Sequence, residues 1–587
     1  MSLGREPLTI VEIDLPLCAR VYGTAPCTAA LSAELPSKCF NTRKTCQDPT
    51  NYLGTSTQTL RFAKNQSGLP GGQTIFPALQ SVSTRAAEIN LSGIDPRMTA
   101  LGKRARVTVT LQDFAYHDTL TDPYQSQRVS GAAQFSGIGY QPADRGQFFA
   151  KLSARQPYYV GKALRVKRGY VGDTVASMSA ANYVITDWSG PDAGGTVTIT
   201  AADVLDLADN AKAVAPAASR GKLATALTNV GTTFDLSPSG VGAEYPASGL
   251  ICIGREVASF TRASDTMTLT ARGLQGTTAA AHSVNDVAQV CLSYTAQRPC
   301  DVVSDLLTTY AGVDAAYIDT TAWQAENDRW VPSIKMTTLI TKPTGVASLI
   351  GEICQHGLLI WWDEIAQEIR YRANRPLDYN ETAYPITDMG NLITGTPAVA
   401  RGDDLRMTAL YFWHGMIDPT DSPDNDRNYQ RLVISTVADD LYGQESIKTI
   451  TSRWFGQTGD DAAALSLANH LKNRYTDTPI LFSGMLDIKD KANLSLGQMI
   501  EVTSAMVQDA TGASPVTQMQ ITYLEEKDDR LMFKAESSYF TGRYGLVTNT
   551  ARPNYSASTA NQRAKGTYIV SAATLKFADG TGPYLLY

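Results

Sequence analysis

Apolar positions along this chain alternate far more often than they follow a helical period. The stretch RARVTVTL at 104–111 places Val107, Val109 and Leu111 on one side and predicts a half-buried strand. Further strands are predicted at 59–62, 164–169 and 183–187. GGTVTIT at 194–200 reads as a strand after a glycine turn, and 203–210 as a short helical or turn segment. Residues 216–296 are small, Gly/Ala/Thr/Ser-rich and strand-forming, and look inserted. Their best-marked parts are 245–261 and 267–282. A helical period appears at 302–311, with Asp301 as cap, Val302, Val303, Leu306, Leu307 and Tyr310 on one face, and Gly312 as stop. A second runs over 346–356, capped by Thr344, with Val346, Leu349, Ile350, Ile353 and Cys354 together and Gly357 ending it. A hairpin is predicted at 358–363 and 368–372, a loop-rich stretch at 403–433, and a helix from Asp460 or Asp461 through 473. The last strands fall at 480–488, 499–503, 516–525 and 531–536. Leu101-Gly102 before Val107-Thr108, and Leu496-Gly497 before Val502-Thr503, have identical spacing and permit two related β-barrels.

Composition sharpens this picture. The 587 residues are 18% charged and 43% hydrophobic, with 45 glycines and 27 tyrosines, which predicts a β-rich globular protein of three to five domains. The formal net charge of −6 and the lack of a basic patch argue against sequence-specific DNA binding. No signal peptide opens the chain, so synthesis in a cytosol without export by the usual route is expected. The longest strongly apolar run, 358–362, is far too short to span a membrane.

Cys18, Cys27, Cys39 and Cys46 are the main candidates for chemistry. Half of the chain's eight cysteines lie in its first 46 residues. The segment 18–52 holds three prolines, few large apolar residues and no sustained period, so something other than apolar burial must order it. The gaps of 8, 11 and 6 residues lack the tight pairs that present two sulfurs to one zinc ion. A four-iron cluster holds its ligands further apart, and Lys38, Arg43 and Lys44 would offset its charge. Spacing alone leaves open an iron–sulfur cluster, a zinc site, and disulfides or free thiols, although a cytosolic origin weighs against disulfides.

Nothing else in the sequence suggests an active site. Cys252, Cys291, Cys300 and Cys354 sit among apolar neighbours and read as small buried hydrophobes. Of the five histidines (His117, His282, His356, His414 and His470), His356 reads as a helix-end cap and His282 as a solvated loop residue. The pairs Asp403-Asp404, Asp439-Asp440 and Asp460-Asp461 read as turns or helix starts. No GxSxG, HExxH or Walker loop is present.

Several of these stretches together resemble one family. They are the four cysteines with KCFNTRKTCQDPTNY (38–52), TLRF (59–62), and LGKRARVTVTLQDF (101–114) followed by Asp122-Pro123-Tyr124 and Arg128. Later come VITDWSGPDAGGTVTITAADVLDLAD, and YPASGLICIGREVASFT with RGLQGTTAAAH. The chain resembles the hub proteins of long, non-contractile phage tails, including gene transfer agent hubs and, more distantly, lambda-like tail tip attachment proteins. The resemblance runs from about residue 8 to the end. It implies a mainly β, multi-domain fold with some α: two β-barrel hub domains, an inserted β module and a linking α/β region. It implies a 4Fe-4S cluster on Cys18, Cys27, Cys39 and Cys46, with zinc as the alternative.

The domains expected on this basis are a cysteine-rich cluster-binding segment (1–55), a first hub barrel (56–215), an inserted β domain (216–297), an α/β link (298–380), a second hub barrel (381–551) and a C-terminal extension (552–587). The implied role is a non-enzymatic virion protein of the tail tip or baseplate, assembled in the host bacterial cytoplasm. As a homotrimer it would close the tail tube and meet the distal tail protein ring, the tape measure protein and a receptor-binding or fibre-bearing tip protein. It would let phage DNA pass without specific binding, which an acidic chain suits. The competing classes are a tail-associated cell-wall or glycan hydrolase, which needs paired carboxylates, and an iron–sulfur enzyme. The terminal pentapeptide 583–587 is expected to dock on a neighbouring subunit or tip protein.

Overall fold

A computed structural model describes residues 6–29, 39–64, 67–116, 146–364, 366–378, 381–437, 443–457, 459–487, 490, 494–527, 530–538, 544–546, 554–559, 563 and 567–585. Lys38, His117, Asp122, Pro123, Tyr124, Arg128, Asp439, Asp440, Leu586 and Tyr587 lie outside the described residues. The fold is mainly β and divides into two compact units. The first comprises Met1–Ala86, Arg104–Val204 and Glu364–Gln367, and the second comprises Ala87–Lys103, Leu205–Asp363 and Glu368–Tyr587.

The first unit is one antiparallel sheet of β1 (Pro7–Leu17), β2 (Ser56–Ala63), β3 (Leu79–Arg85), β4 (Arg106–Gln112), β5 (Ala163–Tyr170), β6 (Ser179–Ser189) and β7 (Thr196–Ala202). Its order is β2-β1-β5-β6-β7-β4-β3. Its outer edges approach each other through 76–78. Phe62 of β2 bridges Phe76, and the Gln112 N–H of β4 donates to the Ala78 carbonyl, so the sheet nearly closes into a barrel. The alternation of β4 holds as predicted, with Val107, Val109 and Leu111 buried. A helix not foreseen in the sequence, Phe148–Arg155, inserts Phe148 and Phe149 among Phe62, Phe76 and Phe114.

The second unit holds the inserted module, a six-stranded sheet built entirely from residues 222–290. Its core is Leu223, Phe234, Leu236, Ile251, Phe260, Met267 and Leu269. The predicted helices form with shifted starts. Pro299 occupies the first turn of Pro299–Asp305 with Arg298 before it, and a π-helical turn continues over Leu306–Tyr310. Asp301 therefore lies inside the helix and does not cap it. Gly345, not Thr344, precedes Val346–Cys354, and the Thr344 hydroxyl donates to the Lys342 carbonyl. The expected apolar faces are buried, except for Tyr310, which is half-buried. Helix Thr320–Trp330 was not foreseen, because its buried side chains are the widely spaced Trp323, Asn327 and Trp330. The stretch expected to be loop-rich holds the strands Ala409–Met416 and Tyr429–Thr436. The C-terminal extension folds back on its own chain. Thr567–Ile569 and Tyr584–Leu585 both pair in parallel with Tyr544–Leu546. Buried Tyr568, Val570 and Phe577 supply a local core that its polar composition had hidden.

An internal repeat exists, but not the predicted one. In the second unit, Ala398–Arg401, Ile480–Asp487, Met499–Thr503, Thr517–Lys527 and Arg530–Ser537 repeat the connectivity of β3, β4, β5, β6 and β7. The Gly161 N–H donates to the Ile185 carbonyl (2.9 Å) and the Ile185 N–H to the Lys162 carbonyl (2.8 Å). Gly497, Ile521 and Gln498 make the same two bonds, both at 2.9 Å. Register shifts follow Ile185 and Ile521, a β-bulge at the same place in each meander. The Thr186 hydroxyl donates to the Thr200 carbonyl (3.1 Å), and that of Thr522 to the Lys534 carbonyl (3.3 Å). The repeated sequence is thus GKALRV (161–166) and GQMIEV (497–502). Gly102 shares the positive φ of Gly497, but its N–H bonds to Thr99, and β4 corresponds to Ile480–Asp487.

Candidate metal centre

β1 and β2 are adjacent antiparallel strands whose pairing ends at Leu17 and Ser56. Residues 18–55 therefore form one long hairpin connection, and all four candidate cysteines lie on it. β1 earns its place in the sheet from both faces, since Val11, Ile13 and Leu15 alternate with Leu8 and Ile10 and all are buried. Buried Glu12 interrupts the second face. It accepts from Arg61 on β2 (2.7 Å) and Arg165 on β5 (2.8 Å), while Asp14 accepts from both terminal nitrogens of Arg165 (2.6 and 2.8 Å) and from Thr59 (2.7 Å). The Arg165 and Thr59 hydrogen bonds outweigh burial and hold the Asp14 carboxyl below its ordinary range. Sequence reading missed this ion network. Its signal was the Glu12-x-Asp14 alternation opposite Thr59-x-Arg61.

The connection is fastened at its root and middle. The Cys18 N–H donates to the Asn41 carbonyl and the Ala19 N–H to the Leu53 carbonyl, both at 2.7 Å. The Thr28 N–H and hydroxyl both reach the Asp48 carboxylate at 2.9 Å, and the Asn51 amide joins them at 3.0 Å. These donors keep Asp48 ionised down to about 2. Asn41 adopts a left-handed backbone (φ 58°), and its N–H donates to the Cys39 sulfur at 3.4 Å. Arg43 lies over the Tyr52 ring at 5.3 Å and donates to the Pro49 carbonyl (2.6 Å).

None of the eight cysteines is in a disulfide. Cys39 is buried, while Cys18, Cys27 and Cys46 are half-buried. Burial pushes the Cys46 thiol up, and the nearby Cys18 and Cys27 sulfurs push the same way. The Tyr52 hydroxyl is likewise raised by burial and by Cys18, Cys46 and Cys39. The connection thus brings Cys18 and Cys27 within electrostatic reach of Cys46. Among the described residues, no three His, Cys, Asp or Glu side chains converge tightly enough to hold one metal ion. Four thiols, none in a disulfide and one receiving a backbone N–H, are a donor set that a zinc ion or an iron–sulfur cluster could use.

The remaining candidates have structural roles. Cys252, Cys300 and Cys354 are buried as expected and Cys291 half-buried, and burial pushes the Cys252 and Cys300 thiols up to about 11 and about 12. His282 is not solvated. It is buried, and its Nε2 lies 2.7 Å from Glu256, which also accepts from Arg272 (2.8 and 2.6 Å) and from the Ala280 N–H (3.0 Å). His356 caps nothing. Its ring is buried beside Phe412 and Phe455, and neither nitrogen has a hydrogen-bond partner among the described residues. Asp460 accepts from the Gly456 N–H (2.6 Å) at the start of helix Asp461–Tyr475, and Asp403 and Asp404 open a 3₁₀ turn.

Fold and centre together define a mainly β protein with a repeated bulged meander and a four-thiol hairpin connection. No family model and no curated protein matches this chain. It is similar in structure to the 43 kDa tail protein of prophage MuSo2 from Shewanella oneidensis, at 9% identity and a TM-score of 0.34, over 78% of this chain and 98% of that one. A tail protein from Neisseria meningitidis MC58 is similar at 8% identity and a TM-score of 0.35, over 78% and 96%. A Francisella PdpA–VgrG complex is similar at 9% identity and a TM-score of 0.34, over 91% and 58%.

Proposed function

We propose that this chain is a structural virion protein, the central hub of a siphophage-type tail tip. As a homotrimer it closes the tail tube, meets the distal tail ring and the tape measure protein above, carries a receptor-binding or fibre-bearing tip protein below, and lets DNA pass on ejection. Cys18, Cys27, Cys39 and Cys46 hold a 4Fe-4S cluster whose role is structural. The observation carrying this reading is that all four cysteines, none in a disulfide, share the one connection between β1 and β2. The tail-hub resemblance of the same residues supports it. A bound cluster supplies the cross-links that 18–55 cannot obtain from apolar burial.

The test has two arms. Protein made and purified without oxygen is expected to be brown and to contain four irons and four sulfides per chain if the cluster is complete. Gold-labelled antibody is expected to mark the tail tip of intact virions. Stoichiometric zinc without iron would overturn the cluster, and label on the capsid or along the tail shaft would overturn the hub. The variant Cys39→Ser should lose the metal and expose 18–55 to protease while creating no catalytic defect.

A further inference from the structure

The two meanders share a backbone and differ in what covers it. In the second, the Thr522 carbonyl at the bulge accepts the Ile89 N–H (2.9 Å), and Glu88 bridges Tyr523. Ile89 and Leu91 pack with Leu359 and Trp361 against Leu496, just before the turn glycine Gly497. The covering segment is part of Ala87–Lys103, the connection from β3 to β4. In the first meander the matching residues are Thr186, Asp187 and Val160. Thr186 and Asp187 are exposed, Val160 is 64% exposed and Tyr158 54%. Among the described residues no backbone N–H from outside the strands donates to the Thr186 carbonyl. The same bulge and the same turn are covered once and bare once.

By the repeat, the counterpart of the β3–β4 connection is 402–479, which joins Ala398–Arg401 to Ile480–Asp487. It contains a three-stranded sheet with Ala409–Met416 between Tyr429–Thr436 and Ile447–Ser452. Helix Asp461–Tyr475 packs against one face, where Leu410 and Phe412 are buried. The other face holds the cross-strand pairs Tyr411–Ile434, Trp413–Leu432 and Ala409–Ile447. Leu432, Ile434 and Ile447 on it are 37%, 48% and 46% exposed. A sheet that ends at two outer strands and turns branched aliphatics outward is an association surface unless something covers it.

We propose that these two bare surfaces meet between copies: the outward sheet face of 402–479 in one copy covers the β6 bulge and the Val160 turn of the next. The internal repeat selects a second copy as the occupant. One connection already covers one bulge within the chain, and the other connection and the other bulge are left over. Contact between two different patches is heterologous, so it propagates and must close into a ring to be finite. This names the surfaces of the homotrimer proposed above and rests on that reading for closure at three.

Full-length Val160→Lys and Ile434→Glu, alone and mixed, test it by sedimentation velocity. Each variant alone is expected to lose self-association at least tenfold and run as a monomer. Their equimolar mixture is expected to give a one-to-one dimer and nothing larger, because each variant keeps the surface that the other lacks. Unchanged thermal unfolding of both variants separates this from misfolding, and the milder Val160→Thr and Ile434→Thr should weaken assembly in the same sense. Oligomers that persist in both charged variants overturn this assignment and leave the homotrimer standing. Wild-type protein that stays monomeric at every concentration overturns both. A variant that assembles normally but loses another tail protein gives the surface to that partner and overturns the proposal.

Discussion

Replacing Glu256 by Gln should release the loop 273–282 of the inserted module. The Glu256 carboxylate is 2% exposed and gathers Arg272, His282 and the Ala280 N–H around one buried charge. Arg272 in turn donates to the Thr228 (2.5 Å) and Gly231 (2.9 Å) carbonyls, so one ion pair ties three loops. Burial opposes the charge, but the Arg272, Ala280 and His282 hydrogen bonds prevail and hold the carboxyl at about 2 against an ordinary 4.5. That difference corresponds to about 3 kcal/mol of stability at neutral pH. The folded value lies below the unfolded one, so the contribution is complete above 4.5 and disappears as pH falls from 4.5 towards 2. The amide in Glu256→Gln keeps the size but loses the charge, leaving Arg272 buried without its ion partner, a cost of about 3–5 kcal/mol. Hydrogen exchange at pH 7 should show amides of 273–282 opening on the order of a hundredfold more often in the variant. Protection equal to wild type there would refute the reasoning, since a loop held by other contacts would not respond.

Gly497→Ala should destabilise far more than Gly161→Ala in chemical denaturation. Both have positive φ, yet a Cβ at Gly497 would lie 2.6 Å from Trp361 Cζ2, whereas none is met within 4 Å at Gly161; about 1 kcal/mol is expected at Gly161 and several times that at Gly497. His356 is held neutral by burial down to about 3, so its contribution is intact above 6.5 and lost as pH falls from 6.5 towards 3; His356→Phe should flatten that part of the stability profile in pH-dependent thermal melts. Leu306→Asp places an unpaired carboxylate at a fully buried position and should cost several kcal/mol, seen as insoluble or low-melting protein.

β4 was legible because its alternation records one buried and one more exposed face directly, whereas Tyr429–Thr436, with most of its side chains exposed, read as loop. The helix Val346–Cys354 was legible for the same reason at a different period. Phe148–Arg155 and Thr320–Trp330 escaped because each contributes only two or three buried side chains over two or three turns. The repeat was misassigned because a leucine-glycine step marks a turn but not the strand that follows. Recognising GKALRV and GQMIEV needed the pairing of Gly161 with Ile185 and of Gly497 with Ile521. At the centre, the four cysteines were legible as a group from their density. Their fastening by Asp48, and the Glu12–Arg165 network on the strand below them, depend on partners up to 153 residues away. His282 was misjudged for the same reason, since its glutamate partner lies 26 residues upstream on a different strand.

The long reach of the segment Ala87–Lys103 has a consequence for synthesis. Ile89 leaves the ribosome long before Thr522, the residue whose carbonyl it will satisfy. At about 5–20 residues per second, the 433 residues from Asn90 through Thr522 (522 − 89) take roughly 20–90 s to translate. Through that interval the nascent chain carries Ile89 and Leu91 without the strand they will join. The Ile89 N–H meets its acceptor on the Thr522 carbonyl after residues 517–527 have arrived.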